Sequence, residues 1–581
     1  MNDYTAPIDA IVAALQLVGL DEVLALPTFD GIDIDAVREV LGGFGALANE
    51  VIAPTDRIGD TVGATLDVAT GVVTTAPELA RAFAEYTKGG WPALSASAEL
   101  GGGGFPNSVA TAVREMFGSA NMALSLNPVL TGSAIELLEL WGDDRQQDVF
   151  LTRLIDGTWT GTMNLTEPDA GSDLGAVRTT ATPADDGTWL INGTKIYITW
   201  GEHELTENII HLVLARAPEA PAGTKGISLF LVPKVLVDGN GGLHERNGVR
   251  ALALEHKMGI HASPTCVLQF DDAVGELVGP LHNGMAAMFS MMNPARVAIG
   301  LQGVSIGERS LQQASSFAAE RKQGRSGNVN PAPIALHPDV QRMLLDITVT
   351  VRATRMLVYA TSVAADIAAH HPDEAVRAAA QARADLLTPL AKAWATDEGV
   401  RTSSLALQVH GGMGFIEETG IAQHYRDARI APIYEGTNGI QAMDLVGRKV
   451  SRDNGAAMTT LLDQIITTVD SASNVATLKS AADSLRHAVD AVRAVTAWVV
   501  DTMRADSPAV LAGATAYLEL AAKTVGAEFL LREALAAAES GAASADRLAA
   551  QVQFFVIEHL DRAPTVASIT LGATLLTTAL G

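Results

Sequence analysis

Hydrophobic and polar positions change their spacing along the chain and divide it into blocks. Up to about residue 160, long segments rich in Ala, Leu and Val are interrupted by turn clusters such as Gly101–Gly104. Strands rarely run so long or contain so much Ala, so these segments predict helices. We therefore expect an N-terminal helical domain over residues 1–160.

The middle of the chain has the pattern of β structure. Runs of apolar and β-branched residues bounded by turn residues predict strands at Ile209–Ala215, Ile227–Val232 and Val267–Phe270. Asn192-Gly193 lies between two further apolar runs, and this pair adopts positive φ at low cost, which predicts a hairpin turn. The expected unit is a central β domain, a barrel or sandwich, over residues 161–275.

Helical spacing returns from about residue 283. A long helix is predicted to begin near Pro338, and residues of its apolar face recur at intervals of 3, 4 and 7: Leu344, Ile347, Val351 and Val358. We expect a C-terminal helical bundle over residues 276–450 and an additional helical domain over residues 451–581. The predicted fold class is mainly α with an inserted β domain.

The charge balance argues against a nucleic-acid partner. Lys and Arg number 40 and Asp and Glu 66, which gives a net charge of −26. Such a field repels phosphate backbones. The last 131 residues carry nine basic and fourteen acidic residues, a net charge of −5, so the additional domain has no basic surface excess.

Cysteine usage and the N-terminus bear on the cellular compartment. Cys266 is the single cysteine, so an intramolecular disulfide is impossible, which fits a reducing compartment. Neither a secretory signal nor an apolar stretch of about 18 residues is visible. Cys266 and the scattered histidines lack metal-ligand spacing. We expect a cytoplasmic protein with no metal site and no integral membrane segment, in which Cys266 is a small buried hydrophobe.

A turn-rich segment stands near the start of the predicted β domain, from Met163 to Asp173, with the sequence MNLTEPDAGSD. Its hydroxyls, its Pro-stiffened turn and its Gly171-Ser172 pair offer short donors and close backbone approach. A loop that cradles a phosphate-bearing cofactor needs these properties. An ordinary connection between a strand and a turn has the same composition, so both interpretations stay open.

A second segment combines glycines with a carboxylate. Three glycines in four positions, at 411, 412 and 414, allow backbone N–H groups to approach an anion. The segment is not a GxGxxG fingerprint, and no GxxxxGK[ST] motif occurs, so Rossmann and P-loop sites are not supported. Glu435 follows in an apolar-flanked turn, where desolvation would raise its pKa and suit a general base. A solvated loop carboxylate is the alternative.

Taken together, these segments resemble the acyl-CoA dehydrogenase family over roughly residues 30–450. Six motifs occur in the family's order: Leu165-Thr166-Glu167-Pro168 with Gly171-Ser172-Asp173; Ile191-Asn192-Gly193 with Lys195 and Tyr197-Ile198-Thr199; His256-Lys257-Met258-Gly259; Glu320-Arg321-Lys322; Gln408 with Gly411-Gly412; and Arg426-Asp427-Ala428 with Tyr434-Glu435-Gly436-Thr437. The length and the helical tail look like the larger bacterial members with a C-terminal extension, among them the 3-methylthiopropanoyl-CoA dehydrogenase type. The resemblance implies an acyl-CoA dehydrogenase-like fold.

The resemblance also implies FAD in the cleft between the β domain and the helical blocks. The positions that match the family's FAD contacts are Met163, Leu165, Thr166, Gly171, Ser172, Tyr197, Thr199, Arg321, Gln408, Gly411, Gly412 and Thr437. Arg321, Gln408 and Gly411-Gly412 would reach the FAD of a neighbouring subunit. Tyr197 stands where the family more often has Trp, and Gly439 stands where it often has a polar side chain beside Thr437.

For the substrate, the resemblance implies an acyl-CoA thioester that contacts Ser172, Asn293, Arg296 and Gly436. Asn293 stands where Asp is commoner, and a solvated helix charge is the alternative for Arg296. In the implied reaction, Glu435 takes the α-proton, flavin N5 takes the β-hydride, and trans-2-enoyl-CoA forms. The thioester oxygen would accept hydrogen bonds from a flavin ribityl hydroxyl and from the Glu435 backbone N–H.

The resemblance further implies a homodimeric enzyme of fatty acid β-oxidation that passes electrons to an electron-transfer flavoprotein. In larger members the C-terminal extension covers the face through which smaller members form tetramers. Two alternatives remain at this point: an acyl-CoA oxidase that uses oxygen, and a noncatalytic binding protein on the same fold. Glu417 and Glu418 are alternative candidates for the base.

Overall fold

The computed structural model describes residues 4–580, apart from the side chains at 291–293, 573, 574, 576, 577 and 580. A β domain interrupts a mainly helical chain, which confirms the predicted fold class. Among the described residues, no helix combines the length and the apolar character needed to cross a membrane.

The N-terminal block is helical except for one small hairpin. Its helices are Ile8–Leu17 (α1), Leu20–Leu24 (α2), Ile34–Leu47 (α3), Thr55–Val62 (α4), Pro77–Lys88 (α5), Asn107–Ala120 (α6), Met122–Trp141 (α7), Asp144–Gln146 (α8) and Thr152–Ile155 (α9). Three of them begin at side-chain caps: Asp33, Asn121 and Asp143 accept the backbone N–H groups of Ala36, Leu124 and Gln146 at 2.8, 2.9 and 2.8 Å. The hairpin, Thr65–Asp67 (β1) with Val72–Thr74 (β2), was not predicted; it turns at Gly71, whose φ is 73°.

The central domain is a closed ring of strands. Its strands are Trp159–Asn164 (β3), Thr180–Pro183 (β4), Trp189–Thr199 (β5), Asn208–Arg216 (β6), Ile227–Pro233 (β7), Val235–Val237 (β8), Leu243–Arg246 (β9), Val249–Leu254 (β10) and Thr265–Val278 (β11). The ring passes through β6, β7, β11, β5 and β4 and returns to β6. Strand β3 adds to it in parallel with β6, and β10 pairs with β11. The three predicted strands are confirmed as parts of β6, β7 and β11.

The predicted hairpin turn at Asn192-Gly193 is wrong. Strand β5 runs straight through the pair from Trp189 to Thr199. Asn192 instead exchanges two hydrogen bonds with Asp272, at 2.8 and 3.0 Å, at an irregularity in the facing strand β11. Gly193 is needed for space, because a Cβ there would lie 2.4 Å from the Thr179 hydroxyl.

Two further helical groups follow the β domain. The bundle helices are Gly284–Glu320 (α10), Pro338–His370 (α11), Glu374–His410 (α12), Ile421–Ala428 (α13) and Asn438–Asp444 (α14), the last extended by a π-helical segment, Leu445–Val450. The remaining helices are Ala456–Ala472 (α15), Lys479–Thr502 (α16), Ser507–Glu539 (α17), Ala545–Phe555 (α18) and Val566–Leu580 (α19). The predicted start at Pro338 is confirmed, with the proline in the first turn of α11.

Helices α10 and α12 approach each other at glycines. A Cβ added to Gly303 of α10 would lie 2.0 Å from the carbonyl oxygen of Ala395, and one added to Gly399 of α12 would lie 2.7 Å from the Gly303 Cα. The two backbones are therefore in direct contact, with no room for a side chain between them. The contact fixes how α10 and α12 are aligned along their lengths.

The last helices pack on the bundle through a shared core. A Cβ added to Gly526 of α17 would lie 2.5 Å from the Trp394 indole of α12. His559, just after α18, contacts Asp346 of α11 at 2.9 Å, and the same carboxylate accepts hydrogen bonds from Arg401. All three members of this ion cluster come from different segments, so residues 456–580 complete the surface of the bundle.

We expect Gly303→Ala to lower the free energy of unfolding by at least about 1–3 kcal/mol, because the added methyl group must push two packed backbones apart. Gly42→Ala on α3 is the matched control, since a Cβ there meets no atom within 4 Å. It should leave stability unchanged or raise it by up to about 1 kcal/mol. Urea unfolding followed by circular dichroism measures both; equal midpoints for Gly303→Ala and the unsubstituted chain would contradict the packing argument.

Candidate active site

The turn-rich segment after β3 is held by a buried ion pair. The Lys195 ammonium lies 2.8 Å from Glu167 Oε1, with the Lys195 side chain fully buried and that of Glu167 7% exposed. The ammonium also donates to the Leu165 carbonyl at 3.1 Å. Glu167 accepts the backbone N–H groups of Arg178 and Thr179 at 2.7 and 3.0 Å, which ties both ends of the loop to one carboxylate.

Both members of this pair stay charged near neutral pH. Burial alone would raise the pKa of Glu167, but the Lys195 ammonium and the Thr179 donors overcome it and hold that pKa below its usual value. Burial lowers the pKa of Lys195 to about 8, and the Glu167 carboxylate opposes that effect. The sequence motif contained both residues, but only the fold shows that they form one clamp.

The predicted cofactor-binding residues of this loop differ in their exposure to solvent. Met163 is buried at the end of β3, Leu165 and Thr166 are half-buried, and Gly171 and Ser172 are exposed. A Cβ added to Gly171 would meet no atom within 4 Å, so the backbone there is open to a ligand. The loop thus combines a rigid base with an accessible tip.

Tyr197 and Thr199 lie at the end of β5, beside the same loop. Ile196 donates its N–H to the Thr166 carbonyl at 3.0 Å, which joins the strand to the loop. Tyr197 is 60% exposed, an unusual value for an aromatic side chain, and its φ is 60°. The next aromatic residue, Trp200, is buried and donates to the Ala123 carbonyl at 3.1 Å. An exposed ring next to an anchored one suits contact with a flat ligand.

Glu435 lies in the loop between α13 and α14. Its φ is 53°, a left-handed conformation that a non-glycine residue adopts only when its surroundings enforce it. Burial raises the pKa of Glu435, while the cations Lys392 and Arg296 lower it. The neighbouring Tyr434 hydroxyl donates to Gln302 of α10, which ties the loop to the bundle.

Arg296 is buried rather than solvated, so the alternative of a surface helix charge is wrong. The side chain is 5% exposed, and Nη1 lies 3.0 Å from Asp444 Oδ2. The α10–α12 contact brings it beside Lys392 and Glu435. The side chain of Asn293, the other substrate position predicted on α10, lies outside the described residues.

Several buried polar atoms around Glu435 have no hydrogen-bond partner among the described residues: Arg296 Nε, Gln302 Nε2 and Gln441 Oε1. Gln441 also holds the Gly436 carbonyl through Nε2 at 3.2 Å. Unpaired buried donors and acceptors are costly, so a cluster of them indicates a place for a polar ligand. Gln302, Gln441 and Lys392 escaped the sequence analysis, because no local pattern separates them from other helix residues.

A pocket of about 340 Å³ opens beside Arg296. Its charged lining residues are Arg296, Arg448, Lys449 and Arg452 and the carboxylates Asp385, Asp444 and Asp453. Asp444 pairs with both Arg296 and Arg448, and Asp385 pairs with Lys449. The basic residues Arg448 to Arg452 were not singled out from the sequence, since only the turn of the chain after α14 brings them to Arg296. Four cations against three carboxylates leave the lining with a net charge of +1, which suits a ligand that carries phosphate groups.

The remaining predicted positions lie elsewhere. Arg321, Gln408, Gly411 and Gly412 are exposed at the carboxyl ends of α10 and α12. Gln408 is sixteen residues beyond Lys392 on α12, about 24 Å along the helix axis. Within one chain they are thus remote from Glu435. Phe415, which follows Gly412 by three residues, is 93% exposed.

Thr437 and the alternative bases Glu417 and Glu418 are all exposed. Thr437 caps α14, and its hydroxyl accepts the Ile440 N–H at 3.2 Å, so this side chain is exposed but already engaged. The alternative bases differ from Glu435 in setting: Glu417 and Glu418 are exposed, and Glu417 pairs with Arg426 at 3.2 Å. Only Glu435 combines burial with facing cations.

We expect Lys195→Met to destabilise the protein by about 3–5 kcal/mol, because it leaves the Glu167 carboxylate buried without its counter-charge. The double variant Glu167→Met/Lys195→Met removes both charges and should recover part of the loss. Urea unfolding measures the stability, and hydrogen exchange at the Arg178 and Thr179 amides reports the loop. Wild-type exchange at these amides in Lys195→Met would show that the pair does not hold the loop.

Three family models match the chain. The model described as the acyl-CoA dehydrogenase middle domain matches residues 162–273, and the acyl-CoA dehydrogenase C-terminal domain model matches residues 282–450. The acetyl-CoA dehydrogenase C-terminal like model matches residues 461–577. The three matches follow one another along the chain without overlap.

Curated relatives and solved structures agree with these models. A 3-methylmercaptopropionyl-CoA dehydrogenase of Ruegeria pomeroyi is 49% identical over 80% of this chain and 79% of its own. A broad-specificity linear acyl-CoA dehydrogenase of Mycobacterium tuberculosis is 34% identical over 86% and 83%. In fold, the chain resembles Caenorhabditis elegans ACDH-11 in complex with C11-CoA, at a TM-score of 0.80, 19% identity and coverage of 96% and 92%. It also resembles a Bacillus anthracis acyl-CoA dehydrogenase complexed with FAD, at a TM-score of 0.72 and 20% identity, with coverage of 100% of this chain and 91% of the other. The chain belongs to the acyl-CoA dehydrogenase family and is an oxidoreductase of that family.

Proposed function

We propose that the protein catalyses the FAD-dependent α,β-dehydrogenation of an acyl-CoA thioester to trans-2-enoyl-CoA. The observation that carries the proposal is the setting of Glu435, a carboxylate in a strained, desolvated loop that faces two buried cations. An α C–H beside a thioester is weakly acidic, so its removal needs a base that is both fixed and shielded from water. The Glu435 loop is held in place through Tyr434, and its side chain is half-buried beside two cations.

In this proposal Glu435 takes the α-proton on its carboxylate, and the electron pair of that C–H bond forms the new C=C bond. The Glu435 backbone N–H donates to the thioester oxygen and stabilises the charge that develops there. Tyr434, held by Gln302, fixes the loop. When bound, FAD supplies the acceptor for the hydride that leaves the β-carbon.

The loop after β3 fits such a cofactor. Its tip at Gly171 is open, its base is clamped by Glu167 and Lys195, and the exposed Tyr197 ring lies beside it. We assign the FAD contacts within one chain to Met163, Leu165, Thr166, Gly171, Ser172, Tyr197, Thr199 and Thr437. Backbone donors and hydroxyls of this kind hold pyrophosphate and the edge of a flat ring.

For the substrate we assign contacts to Ser172, Asn293, Arg296 and Gly436. The cationic pocket beside Arg296 supports a phosphate-bearing thioester such as an acyl-CoA. The relative that is 49% identical is a 3-methylmercaptopropionyl-CoA dehydrogenase. The compound 3-methylmercaptopropionyl-CoA is an acyl-CoA with a thioether in its chain. We include this compound first among the substrates to be tested.

The assembly and partners follow from the same assignment. We propose a cytoplasmic homodimer in fatty acid β-oxidation that passes electrons to an electron-transfer flavoprotein. The exposed positions Arg321, Gln408, Gly411 and Gly412 are remote from Glu435 in one chain, so they could serve only a neighbour's FAD. The single cysteine, Cys266, is fully buried, and burial raises its pKa to about 12, which is consistent with an inert thiol in a reducing compartment.

We divide the chain into four parts for this function: residues 1–160, the β domain 161–275, the bundle 276–450 with Glu435, and the additional helices 451–581. The FAD loop belongs to the second part and the base to the third. The proposed reaction therefore takes place between these two parts, and neither part alone contains the whole set of assigned residues.

We expect Glu435→Gln to lower kcat by more than about 10²–10⁴-fold, because the amide keeps the shape of the side chain but cannot accept the α-proton. FAD content, measured from the flavin absorption band, should remain about one per chain, and acyl-CoA affinity should stay near normal. Glu418→Gln, at an exposed alternative position, is the control and should leave kcat unchanged. If Glu435→Gln still bleached the flavin at more than about a tenth of the unsubstituted rate, another carboxylate would be the base. A colourless protein that takes up no added FAD would contradict the proposed function itself.

We expect a dimer with an isologous interface in solution, because the exposed contacts at the ends of α10 and α12 need a second subunit. Light scattering coupled to size exclusion measures the mass, with a chain mass of 60.6 kDa as the reference. Gln408→Ala should weaken FAD retention in that dimer. A monomer with full FAD occupancy and activity would refute the assignment.

A further inference from the structure

Lys392 of α12 is a fully buried cation with an unusual partner. Its relative exposure is 0%, and Nζ donates to the amide oxygen of Asn438 at 2.9 Å. Among the described residues, no carboxylate oxygen lies within 4.0 Å of this ammonium, whereas the equally buried Lys195 has one at 2.8 Å. A buried ammonium without a contacting counter-charge is costly, so its presence needs a reason.

The partner of Lys392 belongs to the loop that carries Glu435. Asn438 follows Glu435 by three residues and begins α14. Its amide nitrogen donates to the Ala393 carbonyl at 3.0 Å, to the Thr396 hydroxyl at 3.0 Å and to Asp397 at 2.8 Å. Asn438 is therefore bound to one face of α12 from both ends of its amide, and Lys392 supplies the cationic contact.

Three charged groups act on the Lys392 ammonium: Asp397, Glu435 and Arg296. Asp397, one helical turn further along α12, and Glu435 both favour its ammonium form, while Arg296 opposes it. Burial lowers the pKa of Lys392 to about 8 and raises the pKa of Asp397 to about 6. Lys392 is thus charged at neutral pH, and its charge interacts with both Asp397 and Glu435, the assigned base.

We propose that Lys392 is a positioning residue for the reaction: through Asn438 it holds the Glu435 loop on α12, and through its charge it keeps the Glu435 carboxylate ionised in a desolvated site. The inference rests on the proposed function of Glu435 as base. It differs from a packing role, because a purely structural lysine would not change the ionisation of Glu435.

Other charged groups around Glu435 come from each packed element. Arg296 on α10 is the second cation, and Asp444 and Arg448 on and after α14 act on it, with Asp444 in contact at 3.0 Å. Tyr434 lies in the same loop, and burial raises its pKa, so it stays neutral. Because Arg296 is already paired with Asp444, Lys392 is the cation whose charge is least offset by a direct contact.

The test compares the pH dependence of kcat/KM in Lys392→Met with that of the unsubstituted enzyme, both loaded with FAD. Loss of the ammonium should raise the pKa of Glu435, so the acid limb of the profile should move to higher pH by about one unit. Lys523→Met on α17 removes an ammonium that is 11% exposed and paired with Glu519, and should leave the limb in place. If the acid limb of the kcat/KM profile of Lys392→Met coincided with that of the unsubstituted enzyme, the proposal would be overturned, even if kcat were lower.

A second variant keeps the test decisive if Lys392→Met does not fold. Lys392→Gln keeps a donor for the Asn438 amide oxygen but removes the charge, and it should also move the acid limb to higher pH. An unmoved acid limb in Lys392→Gln, or one that moves to lower pH, would contradict the proposed action of the Lys392 charge on Glu435.

An infrared titration separates this inference from the proposed function. The carbonyl band of protonated Glu435, obtained by subtracting the spectrum of Glu435→Gln, reports ionisation without any turnover. If no acyl-CoA is turned over but the band still titrates at higher pH in Lys392→Met, the proposed reaction fails and the Lys392 effect stands. If turnover occurs and the band titrates identically in both proteins, the Lys392 inference alone fails.

Discussion

The backbone contact between α10 and α12 is the constraint on which the candidate site depends. Arg296 belongs to α10 and Lys392 to α12, and each faces Glu435 only because Gly300, Gly303 and Gly399 let the two helices touch. Burying two cations in one place is electrostatically unfavourable, so the helices must be held together by something stronger than those charges. Close packing of backbone on backbone supplies that force, and the charged site occupies the alignment that results.

The same region shows two solutions to the problem of a buried lysine. Lys195 has its counter-ion in contact and serves to hold a loop, so its charge is largely cancelled where it stands. Lys392 contacts the neutral amide of Asn438, so its charge acts on the nearby carboxylates Asp397 and Glu435. Inside a protein the dielectric constant is low, so a charge without a contacting counter-ion acts over a longer distance than it would in water. The Lys392 ammonium can therefore influence the ionisation of Glu435 without touching it.

Sequence patterns predicted the architecture well, because the periods of helix and strand are local properties. The long helix from Pro338 and the strands around Ile209, Ile227 and Val267 were all visible in this way. The Asn192-Gly193 turn was wrong, since a distant strand, through Asp272, used the Asn side chain differently. Arg296 and Glu435 could be singled out by their motifs, but Lys392, Gln302 and Gln441 could not. Lys392 and Gln302 matter through contacts across the fold, with Asn438, 46 positions away, and with Tyr434, 132 positions away.

The docking of the last helices has a consequence for synthesis on the ribosome. Trp394 packs against Gly526, and Asp346 contacts His559, so α11 and α12 keep an uncovered apolar and anionic face until those residues emerge. The growing chain must therefore carry nearly its whole bundle in an unfinished state while residues 456–580 are being translated. Exposed apolar surface of this kind binds chaperones and promotes aggregation. The order of residues along the polypeptide thus delays completion of the bundle, and with it the fixed position of α12 behind Glu435, until α17 and His559 have been translated.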